Sequence, residues 1–260
     1  MLSRLFTRRR SEPIQAQLPE GRRIYAVGDI HGRLDLLDDL LAQITDDDAA
    51  RGPARTGIVF LGDLIDRGPD SAGVVERVRA LCADRPDTRC LAGNHEEIFL
   101  EAYDGDTDLM RLLLRVGGEE TLLSYGLTLA EIDAATTAEL SLLMARRVPA
   151  DHVAFLRALD DYVVEGDYLF VHAGIRPGIA IEQQQTRDLR WIREPFLNHA
   201  GNHGMMVVHG HTITDAIETR DNRIGIDTGA YRTGQLTALG IEGGVRWVLE
   251  TVPQNRTSSS

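Results

Sequence analysis

Two aspartates, four histidines and an asparagine stand where apolar runs of this sequence end near glycine, and side chains of these types could hold metal ions. Asp29 and His31 in GDIHGR are two residues apart, a spacing that points both side chains the same way if the segment is extended. Alone, the pair reads equally as metal ligands or as a turn, because aspartate beside glycine commonly closes a turn. Asp63 in GDLIDRGPDS repeats the arrangement of apolar run, glycine and aspartate, and GNHE adds Asn94 and His95. His172 in FVHAG and His211 in HGHT bring two more imidazoles. None of these donors is a thiolate, which suits Mn, Fe or Zn in a reactive site better than a structural zinc built on cysteine. Two divalent ions set against two aspartates leave about +2 of charge, enough to draw in hydroxide and a phosphate dianion.

The donors need elements to carry them. The runs at 23–29, 57–63 and 89–94 have strand length, and each precedes a helical pattern, at 33–45, 71–82 and 96–103. Alternating strand and helix implies a largely parallel sheet, which binds ligands at the carboxyl ends of its strands, where these donors fall. The stretch from about 96 to 160 reads as a helical insertion, with GGEE at 117–120 as a turn. Strand-rich runs follow (YLFVHAG, MMVVHGH, RIGIDTG), and QLTALGIEGGVRWVLE reads as a closing hairpin. The expectation is one α/β domain over 21–252 with flexible tails at 1–20 and 253–260. A rival reading makes the first tail a targeting or anionic-surface segment, since Leu2, Leu5 and Phe6 lie among arginines.

Bulk properties narrow the function. A chain of 260 residues that is 43% hydrophobic can bury a substantial core. A net charge of −12 argues against a broad nucleic-acid surface, because phosphate backbones are repelled at long range. No apolar stretch approaches the ~18–20 residues of a membrane span. Two cysteines, Cys82 and Cys90, do not make a disulfide framework, so a cytoplasmic location is expected.

GDIHG, GDLIDRGPDS, GNHE, VHAG and HGHT, in that order, resemble the signature set of the calcineurin-like metallophosphoesterases, and DRG with GNHE is similar to the branch holding the phage and bacterial serine/threonine phosphatases. The resemblance runs from residue 28 to 212, and IDTGA at 226–230 resembles the bacterial members too. It implies a four-layer sandwich of two central mixed β-sheets flanked by helices, with two divalent metal ions, Mn foremost and Fe or Zn as alternatives. Carried over motif by motif, it places Asp29 and His31 on the first metal, Asp63 between the two, and Asn94, His172 and His211 on the second. His95 would be the general acid, with Asp66 orienting its ring. Arg67 would bind phosphate, and RWIREPF at 190–196 resembles the segment that supplies a second arginine, with Arg193 preferred over Arg190. The implied reaction is in-line attack on phosphorus by a metal-bridging hydroxide, without a phosphoenzyme.

Other chemistry-bearing residues receive plainer readings. His209 is read as a hydrogen-bonded core histidine, and His152, His199 and His203 as surface or structural. Ile213 stands where many metallophosphoesterases carry a further histidine ligand, which favours the protein phosphatase branch and leaves the first metal a thinner shell. Asp46, Asp47 and Asp48 lack the ligand spacing of a calcium loop and read as a solvated helix end. No GxxxxGK[ST] pattern exists, so nothing points to ATP.

The leading expectation is hydrolysis of phosphoserine and phosphothreonine in proteins, together with small phosphorylated substrates. Hydrolysis of dinucleoside polyphosphates, as in the related diadenosine tetraphosphatases, is the alternative; Asp66 and Glu96 favour the former. A non-catalytic phosphoprotein-binding scaffold is the third reading, and the complete ligand set counts against it.

Overall fold

A computed structural model describes residues 15–252. The chain alternates β1 (Arg22–Val27), α1 (Leu34–Arg51), β2 (Arg55–Phe60), α2 (Ser71–Asp84), β3 (Thr88–Cys90) and α3 (Asn94–Tyr103). Five more helices follow: α4 (Thr107–Arg115), α5 (Gly118–Ser124), α6 (Leu129–Ala134), α7 (Thr137–Arg147) and α8 (Ala150–Arg157). The second half contains β4 (Tyr162–Glu165), β5 (Tyr168–Val171), α9 (Thr186–Trp191), β6 (Met206–His209), β7 (Glu218–Thr219), β8 (Arg223–Gly225), α10 (Ala230–Thr233), β9 (Thr237–Glu242) and β10 (Val245–Glu250).

The strands form two mixed five-stranded sheets, ordered β10-β9-β1-β2-β3 and β4-β5-β6-β8-β7. In the first, β1, β2 and β3 run parallel, while β9 pairs antiparallel with β1 and carries the hairpin to β10. In the second, β5, β6 and β8 run parallel, with β4 and β7 antiparallel at the edges.

Side-chain alternation along the strands builds the layers. Ile24 and Ala26 of β1 face Tyr168, Phe170 and Val208 of the other sheet, whereas Tyr25 and Val27 face the helical side with Leu37, Leu40 and Phe99. Leu169, Val171 and Val207 point to the far face of the second sheet, against Leu189, Ile192 and Phe196. Strands buried on both faces need apolar residues at every position, which is why they read as continuous runs.

Three expectations change. The N-terminal tail does not extend to residue 20, because Ala16 and Leu18 are buried between the sheets. They are held by bonds from Leu18 N to Gly243 O, Asp167 N to Gln17 O and Tyr168 Oη to Ala16 O. Residues 1–14, with the rival targeting reading, and the 253–260 tail lie outside the described residues. The acidic run is a solvated helix end only at Asp46, which is exposed: Asp47 accepts from Tyr25 Oη, Trp247 Nε1 and Arg51, and Asp48 accepts from Thr56 and from the buried Arg23. These carboxylates compensate polar groups that α1 covers as it packs on the first sheet. GGEE is a turn only at Gly117, and α5 begins at the next residue. No described helix is long and apolar enough to cross a membrane.

Candidate active site

Every expected ligand follows a strand of one of the two parallel triplets. Asp29 and His31 come after β1, Asp63 after β2, Asn94 and His95 after β3, His172 after β5 and His211 after β6. The carboxyl ends of both triplets thereby meet at one edge.

The backbone there is unusual. His31, Asp63, Asp66, Arg67 and His211 have φ between 48 and 71°, and no other described non-glycine residue has positive φ. Such conformations cost of order 1–3 kcal/mol each and persist only where surroundings enforce them. Here the N–H of each residue has a fixed acceptor. His31 N bonds to Asp63 O at 2.9 Å, Asp63 N to Glu96 Oε2 at 2.9 Å and Arg67 N to Gly117 O at 2.8 Å. Asp66 N reaches Ser71 Oγ and Thr121 Oγ1, and His211 N reaches both oxygens of Asp29 at 3.0 and 3.2 Å. Glu96 accepts from Leu64 N and Gly93 N as well, so one buried carboxylate shapes the loop that presents Asp63.

Two groups of potential ligands share Asp63: it lies with His31 and His95, and again with His172 and His211, the ligand atoms of each group within 4.8 Å of one another. The ring nitrogens test whether cations fit. His31 Nδ1 donates to Ile65 O at 2.7 Å and His172 Nδ1 to Leu61 O at 2.8 Å, so each ring presents an Nε2 lone pair to the site. These lone pairs lie 3.6 and 3.5 Å from the Asp63 oxygens, and His172 Nε2 is 3.1 Å from Asn94 Oδ1. At His172 acceptors converge on acceptors in a buried site, the arrangement that a cation between them would satisfy, whereas His31 Nε2 is met by an N–H of Arg67 at 2.9 Å. Burial pushes His31 and His211 down to about 3 and lowers His172, keeping the rings in the neutral form that ligates. The donors therefore fit a dimetal centre.

Asp29 is outside both groups, its oxygens turned to the His211 N–H. Next to it is Asp227, in the IDTGA segment after β8; burial foremost, then Asp227 and Asp63, raises the Asp29 carboxyl well above its usual range.

His95 lies beside the centre with its Nδ1 2.6 Å from Asp66 Oδ2, and Asp66 also accepts from Thr121 Oγ1. Arg67 donates to His31 Nε2 at 2.9 Å and to His95 Nε2 at 3.0 Å, while its guanidinium carbon is 4.8 Å from the Tyr231 ring centroid. Of the two arginines in RWIREPF, Arg193 reaches the site, its Nε 3.3 Å from His211 Nε2; Arg190 is paired with Asp161 and Glu97. An open trough of about 660 Å³ begins at Arg67 and Tyr231 and runs along Arg33, Asp35 and Asp70. His209 is a buried core residue against Phe196, and His152 is held by Tyr125 and Glu76.

Sequence reasoning missed Ser71, Thr121, Tyr231, Asp227 and the scaffolding role of Glu96. IDTGA signalled the region of Asp227 and Tyr231, and GNHE contained Glu96, but neither spacing tells which remote backbone the side chain reaches. Nothing in the sequence around Thr121 marks it.

Residues 22–228 match the family model of the calcineurin-like phosphoesterases. Serine/threonine-protein phosphatase 1 of Salmonella typhimurium is 29% identical over 226 residues, covering 85% of this chain and 93% of that protein. An asymmetrical bis(5'-nucleosyl)-tetraphosphatase of Anoxybacillus flavithermus is 28% identical over 233 residues, covering 82% and 88%. A solved structure provisionally assigned as a diadenosine tetraphosphatase superposes with a TM-score of 0.60 at 22% identity, covering 88% of this chain and 94% of that one. With its two mixed sheets, its converging metal donors and a family match across most of its length, the chain belongs to the calcineurin-like phosphoesterases and is a metal-dependent hydrolase of phosphoric esters.

Proposed function

We propose that the protein is a phosphomonoesterase acting on phosphoserine and phosphothreonine in proteins. The observation that carries this reading is the buried pair of His95 and Asp66, 2.6 Å apart. A serine or threonine alkoxide is a strongly basic leaving group that departs only with a proton, whereas the phosphate leaving group of a dinucleoside polyphosphate is weakly basic. An imidazole backed by a carboxylate answers the first need. The trough beside Arg67 supplies room for the polypeptide around the phosphorylated residue.

In this reading Asp63, common to both donor groups, would serve both ions, with Asp29 and His31 holding the first and Asn94, His172 and His211 the second. When bound, the ions supply Lewis acidity toward phosphate oxygen and a nucleophilic water near neutral pH. Their carboxylate, amide and imidazole donors suit manganese, with iron or zinc as alternatives. Arg67, which contacts His31, and Arg193, which contacts His211, bind phosphate oxygens through planar N–H pairs and hold the ester in line. With Arg67 turned from His95 Nε2 onto phosphate, Nε2 is free to take up a proton, and the charged ring delivers it to the departing oxygen while Asp66 holds Nδ1–H. The thiols of Cys82 and Cys90 are free, in keeping with a reducing cytoplasm.

The test compares phosphate release by metal-stripped protein, with and without manganese, from a phosphothreonine peptide and from diadenosine tetraphosphate. Manganese-dependent preference for the peptide supports the proposal. Preference for the dinucleotide transfers the site to polyphosphate hydrolysis and overturns it.

A further inference from the structure

Arg193 is exposed and, among the described residues, has no carboxylate partner; its side chain bonds to His211. Holding a long exposed side chain in one place requires that its backbone be held. The anchor lies two and three residues earlier. Glu97 Oε2 accepts from Arg190 Nη1 at 3.1 Å, and Glu97 Oε1 accepts from Trp191 Nε1 at 3.1 Å. Asp161 takes the rest of Arg190, through Nε at 2.9 Å and Nη2 at 2.6 Å. Ile192 is then buried, and Leu189 O accepts from Ala173 N, next to His172. Glu97 lies on α3, which begins with Asn94 and His95. Both of its oxygens thus bind the end of α9 to the helix that carries two site residues, two residues before Arg193.

We propose that Glu97 is a positioning residue for phosphate binding, acting through Arg193 by locking Arg190 and Trp191 onto α3. This rests on the reading of Arg193 as a phosphate ligand. Glu97 touches no substrate; its effect is on where the free guanidinium stands, while the paired Arg190 is withdrawn from anion binding.

The test uses the full-length manganese-loaded enzyme and measures inhibition by inorganic phosphate alongside kcat and KM for an aryl phosphate. Glu97→Ala should raise the phosphate inhibition constant and KM by about threefold or more, with a smaller change in kcat. Glu97→Gln, which keeps an acceptor for Trp191, should recover part of the loss. Trp191→Phe, which keeps the packing and removes the Nε1 donor, should move both constants in the same direction, and it carries the test if Glu97→Ala fails to fold. In an Arg193→Ala background, Glu97→Ala should add nothing. The proposal is overturned if Arg193→Ala weakens phosphate binding while Glu97→Ala and Trp191→Phe do not, or if their effects persist in full without Arg193. A silent Arg193→Ala would instead remove the Arg193 reading, and the proposal with it.

Discussion

His95 and Asp66 form a buried imidazole–carboxylate pair whose second carboxylate oxygen is occupied by Thr121, so the ring has one orientation. Burial pulls the imidazole pKa down, but Asp63 and the bond to Asp66 outweigh it and hold His95 above its ordinary value.

Asp66→Asn removes the bond partner's charge, so His95 should lose its proton at lower pH than in the native enzyme. The alkaline limb of the kcat–pH profile should move to lower pH. Turnover of a phosphothreonine peptide should fall by about 10²–10⁴, the range for loss of general acid catalysis, while an aryl phosphate with a weakly basic leaving group should lose less. Equal losses on both substrates would count against proton delivery by His95.

Glu96 accepts three backbone N–H groups, from Asp63, Leu64 and Gly93, in a site closed to water. Glu96→Ala leaves all three without an acceptor and should cost about 3 kcal/mol or more of stability, at ~1–3 kcal/mol per unsatisfied buried group. Urea titration of the metal-stripped protein measures this directly. The same variant should bind manganese more weakly, because the loop presenting Asp63 loses what enforces its positive φ.

A Cβ at Gly93 would collide with the carboxylate of Asp63 and stand 2.6 Å from its backbone nitrogen. Gly93→Ala should therefore reduce the metal content of the purified protein, read by elemental analysis. Gly105, at φ +105 with nothing within 4 Å of where a Cβ would stand, is the control: Gly105→Ala should destabilise through backbone strain by about 1 kcal/mol and retain metal. Full metal content in both variants would show that the Gly93 contact does not set the Asp63 position.

His203 packs with His199 and Phe196 away from the metal donors, and burial, with His199 and Arg223, pushes it down to about 4. Its unfolded value is about 6.5, so at intermediate pH the unfolded chain binds the extra proton. The stability associated with this group is present above pH ~6.5 and is lost as pH falls toward 4. His203→Asn should flatten the decline of Tm across that window. An unchanged slope would mean that His203 does not contribute to acid sensitivity.

The sequence by itself determined the chemistry that the chain can perform, because the signals involved are local. Each donor follows an apolar run and has a glycine within two residues, and a strand carries such a residue to its carboxyl end whatever its neighbours are. The closing hairpin was legible for the same reason: two alternating runs around Gly243 and Gly244 specify their own pairing. Tertiary structure decided what holds the donors in place. Asp63 depends on Glu96, 33 residues away, and Asp66 on Thr121, 55 residues away, because a backbone forced to positive φ takes its acceptor from whichever element packs beside it. No spacing rule links such pairs. The same holds for Arg193, which is available because Glu97 and Asp161 occupy Arg190, and for Asp47 and Asp48, whose partners lie on strands covered by their helix. Local pattern selects residue types and elements; the partners of a buried polar group are set by packing between elements distant along the chain.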